Sequence, residues 1–426
     1  MLIGFYIDIK YMFTLSKVKN PKLAKQGKLS HEWARSHMQI LDNTISRLKN
    51  SKPLKGITLG FCLHITKETS VLLIGAKELG AKVVCCGANP LTTQDDIAAF
   101  LVSQGIHTYC WAGQSSKEYD WCIQQVLNHK PQILTDDGSD MNVKVHFDKK
   151  YKALKVFGAT EETTAGVNRI RAVEKQGKLR YPVISVNDAY TKHMFDNRYG
   201  TGQSSIDGYL RAMNLLLASK RIVVAGYGWV GKGVASNFRG MNAKVIVTEV
   251  DPVHALEAHM DGFEVMSMSQ AAKIGEIFIT TTGMTSVIRK EHILAMKDGA
   301  VVGNVGHFDV EVDAKFLLKK SKSVKQVRPH LDECILKNGK KIYLIGKGRI
   351  ANLTAAEGHP PEVMAQSFSN QLLSILYILK NHKKLSKNVI AVPKEIDQQI
   401  ASDALKAMNV KIDRLTKEQI KYMSSW

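Results

Sequence analysis

A chain of 426 residues can hold two or more domains with sizeable cores. Its 44% apolar content, with no apolar run near the roughly 20 residues of a membrane helix, excludes a membrane-spanning protein and predicts a folded, cytoplasmic one. The formal charge of +20 invites a nucleic-acid or anionic-membrane partner, but the lysines are dispersed and no nucleic-acid motif accompanies them, so a solvated basic surface is expected.

The opening MLIGFYIDIKYMF is broken by Asp8 and Lys10 and lacks a basic leader, so it reads as an extra N-terminal segment. Cys62, Cys85, Cys86, Cys110, Cys122 and Cys334 form no CxxC pair and no zinc spacing, and read as core thiols of a reduced compartment. Residues 21–50 read as amphipathic helices, with Trp33, Met38, Ile40 and Leu41 on the apolar face. From 56 onward, strands and helices alternate. GITLGFCLH is a strand and TKETSVLLIGAKELG a helix with a threonine cap; AKVVCCG, HTYCWAG, PQILTDDGSD, LKVFGATEE and YPVISVND supply further strands. Such alternation predicts an α/β fold with a parallel sheet covered on both faces, whose ligands bind beyond the strand carboxyl ends. His64, Thr66, Glu68, Asn89, Asp136, Asp137, Asp140, Glu161, Glu162, Thr163, Asn187 and Asp188 occupy those ends and are expected in one crevice.

A helix to about Ser219 follows TKHMFDNRYGTGQSSIDG. Then RIVVA leads into Gly226-Tyr-Gly228-Trp-Val-Gly231, a helix, and the strand Lys244–Thr248 ending on Glu249. Gly226 permits the tight turn, Gly228 a close approach to a pyrophosphate, and Gly231 close helix–strand packing. Glu249 can accept from a ribose 2′-OH, favouring NAD over its 2′-phosphorylated form. Later strands are EIFITTTG and AVVGNVGHF. A lysine-rich hairpin near 336–346 and a long helix from Pro361 to Asn381 follow, and the end reads as a strand and a short helix. Two lookalike metal sets arise, His307, Asp309, Glu311 and Asp313 alternating along a strand and Asp136, Asp137 and Asp140 in a loop. Neither has a matching partner set.

Eight blocks in order, CLHITKETSVLL, LTDDGSDM, EETTAGVNR, VNDAYTKHMFDNRYG, GYGWVGKGVA, VTEVDP, GNVGHFDVEVD and NLTAAEGHPPEVM, resemble the adenosylhomocysteinase (S-adenosyl-L-homocysteine hydrolase) family over nearly the whole chain. The resemblance implies two doubly wound domains: a substrate domain (1–188, returning at 358–408) and an inserted Rossmann NAD domain (189–357). It also implies a C-terminal oligomerisation tail (409–426), a homotetramer, one NAD per subunit and no catalytic metal.

The family's chemistry oxidises the ribose 3′-OH, eliminates homocysteine, adds water at C5′ and reduces the ketone again. Carried over, Lys192 would handle the 3′-OH proton, with Asp196 orienting it, and would need a lowered pKa to be neutral. Asp137 would be the base at C4′, and His64 with His307 would manage protons at C5′. Thr66, Glu68, Thr69, Glu162, Thr163, His359, Met364 and Phe368 would join Lys192 and Asp196 in holding substrate. The cofactor set would be Thr163, Thr164, Asn187, Asn197, Gly226, Gly228, Val230, Gly231, Glu249, Thr282, Gly283, Asn304, Gly306, His307, Asn352 and His359. By residue type alone, the histidines read as structural and Met364 and Phe368 as core.

Thr201, Glu357 and Trp229 resemble archaeal and some bacterial members. The closing YMSSW lacks the lysine- and tyrosine-bearing tail of many members, so the resemblance does not carry over their cross-subunit clamping of NAD. Glu68 suits the amino group of S-adenosylhomocysteine better than the carbonyl of S-inosylhomocysteine, which is the alternative substrate. A net NAD-dependent dehydrogenase leaves HITKET and KHMFDN unexplained, and a regulatory homologue leaves the filled catalytic positions unexplained.

Overall fold

The computed structural model describes residues 16–426; the expectation for the N-terminal dozen residues lies outside them. Among the described residues, fifteen strands are formed: β1 (Thr58–Leu63), β2 (Lys82–Gly87), β3 (His107–Tyr109), β4 (Ile133–Asp136), β5 (Gly158–Glu161), β6 (Val183–Ser185), β7 (Arg221–Ala225), β8 (Lys244–Thr248), β9 (Glu264–Val265), β10 (Ile277–Thr280), β11 (Ala300–Asn304), β12 (Ser323–Arg328), β13 (Leu331–Ile335), β14 (Lys341–Ile345) and β15 (Val389–Ala391). They build two sheets. The first, ordered β15-β6-β5-β4-β1-β2-β3, is parallel throughout. The second is ordered β12-β13-β14-β11-β10-β7-β8-β9 and turns antiparallel only at the lysine-rich β12–β14 end.

Both sheets reverse direction of growth. In the first, the chain moves outward from β1 through β2 and β3, then returns to the other side of β1 with β4. In the second, β8 lies on one side of β7 and β10 on the other. Strand carboxyl ends part at such reversals and leave a crevice between their loops. The β1/β4 and β7/β10 reversals therefore determine where ligands can enter.

The helix Lys67–Glu78 starts as its sequence predicts, with the Thr66 side chain accepting from the Thr69 N–H. Helix Ala24–His37 turns Gly27, His31 and Ala34 inward at helical spacing, which leaves Trp33 61% exposed rather than on the buried face. Three further expectations are corrected. The TKHMFDNRYG motif is itself helical, since Tyr190–Lys192, a π-helical His193–Gly200 and Thr201–Met213 follow one another, and the helix ends at Met213 rather than near Ser219. Residues 305–313 form a loop in place of an alternating strand, because Asn304 turns back to accept from the Gly306 N–H. The C-terminal region has no strand after Ala407. Instead Lys394–Ala407 is a helix and β15 pairs with β6.

The six cysteines are free and buried. The two sheets' halves touch through glycines. A Cβ at Gly233 would collide with the Arg198 carbonyl, so only hydrogen lets helix Trp229–Gly240 lie on the π-helical segment. Gly240, at the exposed end of that helix, faces open space. Gly233→Ala should lower stability by about 1–3 kcal/mol through overpacking. Gly240→Ala should be neutral or raise it by up to about 1 kcal/mol. Paired thermal melts check this, and equal shifts for both variants would refute the packing argument.

Candidate functional site

The two reversals open into one pocket, a cavity of about 320 Å³ with a mouth to solvent. From the first sheet come His64 after β1, Asp137 after β4 and Glu162 with Thr163 and Thr164 after β5. From the second come Gly228 and Val230 after β7, Thr282 and Gly283 after β10, and Gly306 and His307 after β11. Helix Pro361–Asn381 adds Met364 and Phe368, and the connecting helix adds Lys192, Asp196 and Asn197.

Lys192 is buried at the centre of this seam. Its Nζ donates to Asn197 Oδ1 at 2.8 Å and lies 3.3 Å from Asp196 and 3.6 Å from Glu162. Burial opposes its charge, but Asp196 and Glu162 outweigh burial, so its pKa is raised. The sequence left this balance open, since neutrality needs a lowered pKa and Asp196 opposes it; with Glu162 as a second carboxylate the balance falls to the charged form. Asp196 shows the reciprocal effect. Burial would raise it, yet Lys192 and His359, whose Nδ1 is 3.2 Å away, hold it well below the usual carboxylate range. Ser367 donates to its other oxygen at 2.7 Å. Glu162 goes the opposite way. Burial pushes it up to about 8 against the pull of Lys192, with Asp196 and Asp137 adding to the rise and the Gln371 amide donating to Oε2.

A second cluster sits beside it. Asp137 Oδ2 is 3.6 Å from His64 Nε2 and Asp137 Oδ1 is 3.5 Å from His307 Nδ1. The other nitrogen of His64 meets Thr92 Oγ1 at 2.7 Å. Burial lowers the His64 pKa to about 4, with Asp137 opposing and His307 adding to the fall, so the ring is neutral near pH 7. At the far end Glu68 is 1% exposed; its Oε1 accepts no hydrogen bond and lies 3.1 Å from Lys67 Nζ. Burial raises its pKa against the pull of Lys67. Thr66, Thr69, His359, Met364 and Phe368 line the pocket around it.

Not every strand-end residue reaches the pocket. Asp136, Glu161, Asn89, Asp140 and Asp188 stand behind it. Asp136 accepts from the Asp137 and Asn142 amides, Asn89 from the Leu91 amide, Asp140 from Tyr119 and Arg169, and Asp188 from Arg171. Among the residues assigned to cofactor, Gly226, Gly231, Glu249, Asn187 and Asn304 do not line it. Gly226 adopts φ +101° to make the turn, and a Cβ on Gly231 would collide with its carbonyl. Glu249 accepts from the Tyr227 amide at 2.7 Å and so buttresses the turn. Asn187 accepts from Asn197, and Asn304 ties three loop carbonyls together. Asn352 lines the pocket as assigned. Thr92, Ser367 and Gln371, which aim His64, Asp196 and Glu162, carry no signal of their own because they come from elements distant in sequence.

The helix Trp229–Gly240 begins at Gly228 with no side chain capping its first amides, and nothing would meet a Cβ at Gly228. Open amides at a helix N-terminus are a fit seat for a pyrophosphate. The residues present therefore suit a dinucleotide.

Glu162 makes the pH dependence testable. In the folded chain it keeps its proton to about pH 8, while the unfolded chain releases it near 4.5, so its share of stability falls as pH rises through that window. The limiting slope for one proton is about 1.4 kcal/mol per pH unit. Urea melts across the window should show Glu162→Gln flattening the slope; an unchanged slope would refute the protonated assignment.

Comparison with known proteins agrees with this architecture. The profile for "S-adenosyl-L-homocysteine hydrolase" matches residues 15–157, and that for its "NAD binding domain" matches residues 197–358. An adenosylhomocysteinase of Sulfurisphaera tokodaii is 55% identical over 96% of this chain and 98% of its own length. One of Saccharolobus solfataricus is 52% identical over 96% and 98%. An S-inosyl-L-homocysteine hydrolase of Methanocaldococcus jannaschii is also 52% identical, over 96% and 99%. Matched end to end at this level, with an NAD-binding domain in the second part, the chain belongs to the adenosylhomocysteinase family.

Proposed function

We propose that this enzyme hydrolyses S-adenosyl-L-homocysteine, reversibly, to adenosine and L-homocysteine. The observation that carries the reading is a single pocket joining an anion-ready helix N-terminus to a buried lysine–carboxylate cluster and an Asp–His pair. NAD, held along Gly228, Val230, Thr282 and Gly283, supplies reversible hydride acceptance at the ribose 3′ carbon when bound. Lys192, as a cation, binds the 3′ oxygen and carries the charge that grows there as its proton leaves. Asp196, ionised and 3.3 Å from the ammonium, takes that proton and restores it on the return, while protonated Glu162 can only donate a hydrogen bond. Asp137 takes the C4′ proton, made acidic by the neighbouring ketone. His64 has Nδ1 engaged by Thr92, which leaves Nε2 to pass the proton that Asp137 took from C4′ to the departing sulfur and, on hydration, to pass one from the incoming water back to Asp137. His307 flanks Asp137 from the second sheet and completes the proton relay.

The base preference follows from Glu68. A buried carboxylate oxygen that meets the Lys67 ammonium at 3.1 Å but accepts no aligned hydrogen bond from the described residues is satisfied by an amino group and left opposed by a carbonyl, so the adenosyl substrate is favoured. The cytoplasmic setting is supported by six free, buried thiols, and among the described residues no helix is long and apolar enough to cross a membrane. A homotetramer is supported by exposed Ile412, Leu415, Ile420, Tyr422 and Met423, a row of apolar side chains in a tail that buries none of its own.

Purified, NAD-loaded enzyme should release free thiol from S-adenosylhomocysteine with no net change in nicotinamide absorbance. Stoichiometric reduction of NAD would indicate a dehydrogenase instead, and thiol from S-inosylhomocysteine alone would move the protein to the deaminated substrate. Asp137→Asn and Lys192→Met should each cut turnover by about 100-fold or more. Glu68→Gln can both donate and accept, so the adenosyl-over-inosyl ratio should fall by about ten- to hundredfold, the value of a hydrogen bond to a charged group. An unchanged ratio would sink the assignment of Glu68.

A further inference from the structure

Lys192 stands at the joint where the three-residue helix Tyr190–Lys192 passes into the π-helical coil. Asp196, Glu162 and Asn197 surround its ammonium, but none of them fixes the backbone from which its four-carbon stem starts. The first amides of a helix have no partner within it. Ala189, the residue before this one, offers no side-chain cap. The partner comes from the far end of the chain. Asp397, on helix Lys394–Ala407, accepts from the Tyr190 amide with Oδ2 and from the Thr191 amide with Oδ1, each at 2.8 Å. The Thr191 hydroxyl donates to the same Oδ1 and accepts in turn from Asn370 Nδ2 at 2.8 Å. Asp397, Thr191 and Asn370 are all buried. A carboxylate kept from water persists where its lone pairs are used in this way, and charge-assisted bonds to amides are the strong kind.

We propose that Asp397 is a positioning residue for Lys192: by seating the two peptide units ahead of the lysine, it aims the ammonium at the ribose 3′ oxygen. Helix Pro361–Asn381 does the matching task for the lysine's partners, with Ser367 donating to Asp196 and the Gln371 amide to Glu162. The segment 361–407 thus holds the lysine's backbone and both of its carboxylates. A shift of about 1 Å at a reacting group costs on the order of 100-fold in rate, so a bond two residues away from the chemistry can govern it. The effect on turnover rests on the hydrolase reading; the seating of the two amides does not.

Asp397→Asn is the sharp variant, because it keeps the shape but turns an NH₂ group toward one of the N–H donors. Thr191→Val, which keeps the volume and removes the hydroxyl, is the second. Asp403→Asn, on the same helix and bonded only to Gln399 and Lys406, is the control. In NAD-loaded enzyme, hydrogen exchange of the peptide 189–197 should quicken in Asp397→Asn and not in the control. Reduction of the bound NAD by adenosine in a single turnover should slow by about 10–100-fold, with KM little changed. The alkaline limb of the rate profile should move to lower pH, since burial lowers the lysine's pKa once Asp196, Glu162 and Asp137 are no longer set against it. Thr191→Val should slow the step by about 3- to 10-fold, and carries the test if Asp397→Asn does not fold. Faster exchange with an unchanged oxidation step and pH profile would make Asp397 a structural cap and overturn the proposal, as would equal slowing in the control. Unchanged exchange in both variants would overturn the seating itself. Wild-type enzyme whose bound NAD is not reduced by adenosine would strike the hydrolase reading instead, while faster exchange in Asp397→Asn would still support the seating.

Discussion

Two buried carboxylates hold the loops on which the whole pocket rests. Glu161, at the end of β5, accepts from the Gly138 and Thr163 amides and from the Ser139 hydroxyl. Glu311 accepts from the Thr282 amide and hydroxyl and from the Gly283 amide. Each is seated against a glycine, Gly166 and Gly306 respectively, where any Cβ would collide with it. Charge-assisted bonds to backbone amides are short and strong, but they only balance the cost of taking a carboxylate out of water when every lone pair is used. Burial outweighs these bonds and raises the pKa of both groups. The Asp137 turn has two consecutive residues at positive φ, Gly138 at +98° and Ser139 at +62°. Glu161 bonds both of them. One sheet's loops are thus pinned by Glu161 and the other's by Glu311, and the pocket inherits its shape from the pair.

Electrostatics then differentiates groups of one chemical type. Glu68, Asp137, Glu162 and Asp196 all line one cavity. Asp196 is ionised because Lys192 and His359 face it, whereas Glu162 is held protonated mainly by burial. Lys67 lies 3.1 Å from Glu68 and 3.0 Å from Glu357, and Glu357 in turn lies 3.3 Å from Arg211 on the helix Thr201–Met213. The outer members of that chain are half-exposed and add little stability. Their effect is directional: they keep a cation beside Glu68.

Much of this was legible in the sequence, and the reasons can be given residue by residue. The strands were readable because parallel strands buried on both faces leave continuous apolar runs, as in RIVVA and KVVCCG. The threonine cap at Thr66 and the helix Pro361–Asn381 carried local signals that the structure keeps. What failed to show were effects of distance. Trp33 faces solvent because the helix packs by Gly27, His31 and Ala34, a choice made by the partner surface. Glu249 and Asn304 support turns from behind, and the protonation of Lys192 depends on Glu162, which lies 30 positions away in the chain and 3.6 Å away in space.

The π-helical segment His193–Gly200 has a consequence for how that lysine is held. Lys192 bonds Asn197, five positions on, while its i+4 neighbour Asp196 stays within 3.3 Å. An ordinary α-helix advances about 100° per residue and cannot turn both positions toward one side chain. The wider coil does so, at the cost of weaker backbone geometry, which is why such segments persist where function holds them. The rod that joins the two sheets therefore carries a counting device: its one-residue-wider winding is what lets a carboxylate and an amide grip the same ammonium. A chain shortened by a single residue here would keep every functional side chain and lose their convergence.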